Sequence, residues 1–169
     1  MALSTNVIGD LGEMEVSTRL METGLFIVFL LGGKVPVFDL LVEIVPNANA
    51  QEKPYQFLVQ VKSTQEANPY TKRTHRLKTP VPHDKLNALI DRPLPSYVAG
   101  VDINTSDVYL VPAFDRGAGY GGSIPGTFRL IKGNKAVNTA LLQRLKNDVI
   151  AYWHGLNIDV YKPSFNSAL

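Results

Sequence analysis

Two alternating segments joined by a short polar loop constrain this chain more than any other feature. In VPVFDLLVEIV (35–45), Val37, Asp39, Leu41, Glu43 and Val45 share one face of a strand, and Phe38, Leu40, Val42 and Ile44 share the other. In FLVQVKST (57–64), Phe57, Val59 and Val61 alternate with Leu58, Gln60 and Lys62. The connection PNANAQEKP, bounded by Pro46 and Pro54, is short enough to predict an antiparallel hairpin. If Val45 lies opposite Pro54, then Asp39 faces Gln60 and Glu43 faces Gln56, with Lys62 just beyond Gln60 along its strand. That register gathers a carboxylate, an amide oxygen and an ammonium at one end of the hairpin.

The rest of the chain supplies a sheet and helices to hold that hairpin. A helix is expected over about Thr5–Thr23, capped by Ser4 or Thr5 and closed by Gly24. Val7, Leu11, Met14 and Met21 form one line on it, and Gly9, Glu13, Val16 and Leu20 another, which predicts two buried faces. Gly9 and Gly12 each cost helix stability, on the order of 1 kcal/mol relative to Ala, and imply close approach of a strand or a ligand. Strands are expected at Leu25–Leu31, Val37–Val45, Tyr55–Ser63, Tyr97–Ile103, Val108–Val111 and Thr127–Ile131, the last one short. Further helices are expected near His83–Asp91 and from Asn138 to about His154. Residues 64–82 are polar and basic without periodicity. The expected fold is α/β: one domain over residues 1–169 with a mixed central β-sheet flanked by helices, the core in the order α-β-β-β-α-β.

Composition limits the function classes. With 169 residues, 45% hydrophobic and 19% charged, the chain has the makeup of a globular domain rather than a disordered tail. The formal net charge of +2 gives no global attraction to nucleic acid, so any such binding rests on local clusters. The chain has no cysteine, which excludes disulfides, thiolate metal sites and cysteine nucleophiles. The apolar run Leu25–Leu31 is shorter than the roughly 20 residues a membrane helix needs, and MALSTNVIGD lacks the pattern of a targeting signal. A cytoplasmic protein with no membrane partner is expected.

The polar end of the hairpin suits a specific chemistry. Mg²⁺ takes hard oxygen ligands and keeps several waters, so one or two carboxylates suffice, with an amide oxygen as a weaker, uncharged ligand. A lysine beside such an ion can orient water or offset charge building on a phosphate. Asp39, Gln60 and Lys62 therefore fit metal-assisted phosphodiester hydrolysis, and Glu13 can add a carboxylate from the first helix. Glu15 and Glu43 are the alternatives to Glu13 should the register differ.

Taken together, GDLGEMEVSTRLMETGLF, FDLLVEI and FLVQVKST resemble the PD-(D/E)XK nuclease superfamily, and within it the small Holliday-junction-resolvase-like bacterial proteins. Gly9, Gly12 and Glu13 match its Gly-x-x-Gly-Glu helix, Asp39 its strand aspartate, and Gln60 with Lys62 its Glu/Gln-x-Lys strand. YVAGVDINTSDVYLVPAF resembles the strand pair that follows the core, so the likeness covers roughly the first two-thirds of the chain. The resemblance implies a restriction-endonuclease-like core and a Mg²⁺- or Mn²⁺-dependent nuclease acting on DNA. Asp39, Gln60 and Glu13 would form the metal environment, with the Val61 carbonyl helping, and Lys62 would be the catalytic lysine. Homodimers are common in this superfamily. Gln60 stands where an acid is usual, which lowers the negative charge of the site. That departure keeps open a second reading, a catalytically weak or inactive nuclease-like domain that binds nucleic acid or a partner protein.

Other segments fit around this core. PYTKRTHRLK places Lys72, Arg73, Arg76 and Lys78 close together directly after the Lys62 strand, where they can hold a phosphate backbone. GAGYGG (117–122) satisfies G-x-G-x-x-G literally, but a proline and a short strand follow it, so a flexible loop bordering a groove is expected. His75, His83 and His154 lack metal-ligand spacing, and Tyr152 and Trp153 read as core or interface residues.

Overall fold

The computed structural model describes residues 3–31, 37–50, 52–113 and 122–155, and every structural statement below concerns these. It is an α/β structure with a mixed six-stranded sheet and three helices. No described helix is long and apolar enough to cross a membrane.

Helix α1, Thr5–Met21, begins where the Ser4 side chain accepts the Val7 N–H at 3.4 Å. It closes through Gly24, whose N–H reaches the Met21 carbonyl at 3.0 Å with φ at +71°. That left-handed conformation explains the glycine. Strand β1 (Phe26–Leu30) pairs antiparallel with β2 (Leu40–Ile44), and β2 pairs antiparallel with β3 (Gln56–Thr64). The second pairing sets Leu40 opposite Val59 and Glu43 opposite Gln56, the register expected from alternation. β2 is shorter than expected at its start, however, and Val37–Asp39 precede it as irregular chain. Phe38 consequently leaves the Leu40–Val42–Ile44 face and packs with Leu41 and Leu58 on the other side.

From β3 the chain forms a two-residue strand β4 (Leu77–Lys78) and helix α2 (His83–Ile90), then enters β5 (Ser96–Asp102) parallel to β3. β6 (Asp107–Pro112) returns antiparallel to β5, β7 (Ser123–Ile124) pairs with β4, and β8 (Arg129–Leu130) closes the main sheet against β6. The sheet order is β1-β2-β3-β5-β6-β8, with β4 and β7 forming a separate ribbon. The ribbon is absent from the sequence reading because two-residue strands carry no periodicity. It lies on Gly100 of β5, where an added Cβ would meet Thr79 Cγ2 at 2.7 Å and Leu77 Cδ2 at 2.8 Å.

The two sheet faces have separate cores. On one, Val16 and Leu20 of α1 pack with Leu142, Leu145 and Val149 of helix α3 (Lys135–Gly155) over Val42, Phe57, Val59 and Ala99. Phe57 meets Phe26 and Tyr97 edge-on at centroid distances of 5.6 and 5.4 Å. On the other, α2 and the ribbon cover Leu58, Val98, Tyr109 and Val111.

Two expectations about helices are corrected. α1 buries one face, that of Gly12, Val16 and Leu20; Val7, Met14 and Met21 are 42%, 59% and 45% exposed. The sheet offers the helix a single surface, and no other described element covers its far side. α3 starts at Lys135 rather than Asn138, with the Asn134 side chain accepting the Val137 N–H at 3.3 Å. Asn138 is instead a buried clamp: it exchanges hydrogen bonds with the Ile131 backbone at 2.9 and 3.0 Å and donates to Glu22 at 2.6 Å. Trp153 stacks on Tyr55 and donates its indole N–H to the Gln56 carbonyl at 2.9 Å, a packing role.

Candidate active site

Asp39 sits where the chain enters β2. Its N–H continues the hairpin ladder to the Val59 carbonyl at 3.0 Å, which fixes the backbone beside β3. Its Oδ2 accepts the Val61 N–H at 2.6 Å and a short hydrogen bond from Gln60 Nε2. Both bonds fall on Oδ2; Oδ1 accepts none among the described residues. Gln60 is 5% exposed, and its Nε2 also donates to the Val61 carbonyl at 3.3 Å. The hairpin therefore brings together the carboxylate and the amide that alternation placed opposite each other.

Helix α1 adds Glu13. Gly12 allows this, because a Cβ there would stand 1.7 Å from Ser63 Oγ and 2.8 Å from Ser63 Cβ. The helix thus lies directly on the end of β3 that carries Lys62. Gly9 differs: nothing lies within 4 Å of a Cβ built on it, so no strand approaches there. It borders a pocket of about 370 Å³ that Glu13, Asp39, Gln60, Val61, Lys62, Ser63 and Lys85 also line. All four residues expected to carry the chemistry share this pocket.

Its electrostatics are those of carboxylates held partly out of water. Burial pushes the Asp39 carboxyl above its ordinary value, against the Val61 N–H, the Lys62 and Lys85 ammoniums and the Gln60 amide, which pull it down. Glu13 is also raised, first by burial and then by the Asp39 and Asp10 carboxylates. Two carboxyls near enough to repel each other are a place where a cation is favoured. Among the described residues, no three His, Asp or Glu side chains converge as a metal-holding group. The donor set here is two carboxylates and an amide. The alternatives to Glu13 are committed elsewhere: Glu15 pairs with Arg19 at 3.2 Å, and Glu43 accepts from Gln56 at 2.9 Å.

The basic segment divides. Arg76 is half-buried and spends its guanidinium on Ser123, at 3.1 Å to the hydroxyl and 2.9 Å to the carbonyl, which fastens the loop to the ribbon. Lys78 pairs with Glu66 at 3.3 Å. Lys72 and Arg73 are exposed, and Lys72, His75 and Lys78 border an open pocket of about 800 Å³. The wall of that pocket is pinned by Tyr70, whose hydroxyl donates to buried Asp102 at 2.8 Å and lies 3.1 Å from that of Tyr109. GAGYGG lies outside the described residues except Gly122, so that expectation meets no structure.

Sequence reasoning missed Lys85 and Asp102. Lys85 is a single lysine in the first turn of α2, and only the path of the chain from β3 through α2 to β5 brings it to Asp39. Asp102 is one aspartate at the end of β5, with no partner recognisable by spacing. No protein-family model, no curated protein and no solved structure was found to match this chain.

Proposed function

We propose that this protein is a divalent-metal-dependent nuclease of the PD-(D/E)XK type, built on a restriction-endonuclease-like core and hydrolysing DNA phosphodiester bonds. The observation that carries the reading is the convergence of Glu13, Asp39, Gln60 and Lys62, in motif order, on one pocket. A cytoplasmic location fits such a substrate.

The donor set fits a hard cation. Asp39, through Oδ1, together with Glu13 and Gln60, would hold Mg²⁺ or Mn²⁺, with the Val61 carbonyl adjacent. Gln60 would keep Nε2 as the donor to Asp39 and offer its Oε1 as the ligand. When bound, the ion would acidify a water and offset charge on the scissile phosphate. Val61 N–H holds Asp39 in place, and Lys62 is free to meet a phosphate oxygen because it forms no hydrogen bond or ion pair among the described residues. Burial and the neighbouring carboxylates raise the proton affinity of Glu13, which a bound cation would offset.

Cleavage of duplex, branched and single-stranded DNA with Mg²⁺ or Mn²⁺ tests this. Asp39→Ala and Lys62→Ala should each lower the rate by about 10²-fold or more. Rates unchanged by both substitutions would place any activity elsewhere. A second reading, a nuclease-like domain that binds nucleic acid or a protein without cleaving, draws on the Gln60 bond that already satisfies Asp39 without a cation. Calorimetry separates the two: DNA binding with no uptake of millimolar Mn²⁺ supports the second reading. Metal affinity and cleavage gained by Gln60→Glu would mark a weakened catalytic site.

A further inference from the structure

Helix α2 reaches the same pocket from the opposite layer of the fold and contributes Lys85. The pocket wall therefore carries two carboxylates, Glu13 and Asp39, and two ammoniums, Lys62 and Lys85, with Gln60 neutral between them. Lys85 is exposed and forms no hydrogen bond or ion pair among the described residues, and neither does Lys62. A site with balanced formal charge attracts a divalent cation less than one with surplus carboxylates. Two ammoniums beside it, in no ion pair among the described residues, attract phosphate. A phosphodiester bound to Lys85 would cancel the charge that opposes the cation and bring oxygen atoms of its own to the pocket.

Resting on the nuclease reading, we propose that Lys85 is a substrate-binding residue that holds a backbone phosphate of the nucleic acid, and that metal and nucleic acid bind to this pocket cooperatively. The cooperativity has a definite form. Lys85 weakens metal binding when the pocket holds no phosphate and ceases to do so once a phosphate neutralises it. Linkage then requires that the metal strengthen nucleic-acid binding by the same factor.

The test uses binding rather than turnover. Mn²⁺ is titrated calorimetrically into the full chain, alone and saturated with a phosphorothioate-backbone DNA duplex, which resists hydrolysis. Affinity for the same duplex is measured by fluorescence anisotropy across a salt series. In the wild type, duplex should raise Mn²⁺ affinity by about 5-fold or more, the lower end of ordinary coupling between sites. Lys85→Ala should bind Mn²⁺ more tightly than wild type without DNA, lose most of the coupling, and reduce the salt slope of DNA binding by about one. Lys85→Arg, which keeps the charge, should retain the slope. A Lys85→Ala protein with wild-type slope and coupling would overturn the assignment while leaving the nuclease reading intact. Independent binding of Mn²⁺ and duplex by the wild type would overturn the cooperativity. A wild type that binds neither would remove both the nuclease reading and this one.

Discussion

Gly12 offers the sharpest test of how α1 is seated on the sheet. Changing it to alanine favours the helix by about 1 kcal/mol, because alanine loses less backbone freedom. Against this, the new Cβ would lie 1.7 Å from Ser63 Oγ, 2.8 Å from Ser63 Cβ and 3.5 Å from Val61 Cγ1. Rotation of the serine relieves the first contact but not the second, because the Cβ is fixed to the strand backbone. The helix must then move off β3 by several tenths of an ångström, an overpacking cost of about 1–3 kcal/mol. Gly12→Ala should therefore be neutral to destabilising by about 2 kcal/mol, where an unhindered helix site would gain stability. Ser63→Gly removes both clashing atoms, and Ser63 Oγ has no hydrogen-bond partner to lose. The double mutant should recover at least about 1 kcal/mol relative to the sum of the single changes. Urea denaturation of the four proteins measures this coupling, with melting shifts of about 2–4 °C per kcal/mol as a check. A coupling of zero, or a Gly12→Ala protein more stable than wild type, would refute the close seating of α1.

Two further outcomes follow from charge. Asp39 has a raised pKa, so it favours folding when protonated, and that contribution is lost as pH rises through its folded value. Asp39→Asn should then raise the melting temperature of metal-free protein at pH 7 and leave it nearly unchanged below the ordinary carboxylate range; scanning calorimetry at both pH values checks this. Glu52 is lowered, chiefly by its hydrogen bond with buried Lys146, with ion-pair atoms 2.6 Å apart, so its contribution is present at neutral pH and lost as pH falls. Glu52→Gln should destabilise at pH 7 and matter little at pH 3, and a loss equal at the two pH values would contradict the pairing.

Much of the site was legible because alternation leaves little freedom. Shifting the hairpin by one residue would have turned Leu40, Val42 and Ile44 out of the core, and closing the loop with Val45 opposite Pro54 then set Glu43 against Gln56. Gly12 signalled close contact because an unneeded glycine weakens a helix. The exposed line of Val7, Met14 and Met21 misled, since helical periodicity gives candidate faces and only the surroundings decide which are covered. Arg76 read as a phosphate ligand because a sequence shows its charge and not the Ser123 carbonyl that engages it. Lys85 was invisible because its place beside Asp39 depends on contacts made far along the chain.

The bonds from Gln60 and Val61 to Asp39 have a kinetic meaning too. They join residues 21 and 22 apart in sequence, within a single hairpin. A loop of that length closes quickly, and hairpins form in about 1–10 μs. The seat of Gly12 on Ser63, which carries Glu13 into the pocket, closes a much longer loop. The inner half of the site is thus a product of local folding, while its outer carboxylate depends on the docking of a helix. Under mild denaturant, hydrogen exchange at Val61 should outlast that of the first turns of α1, so the pocket would come apart from the helix side first.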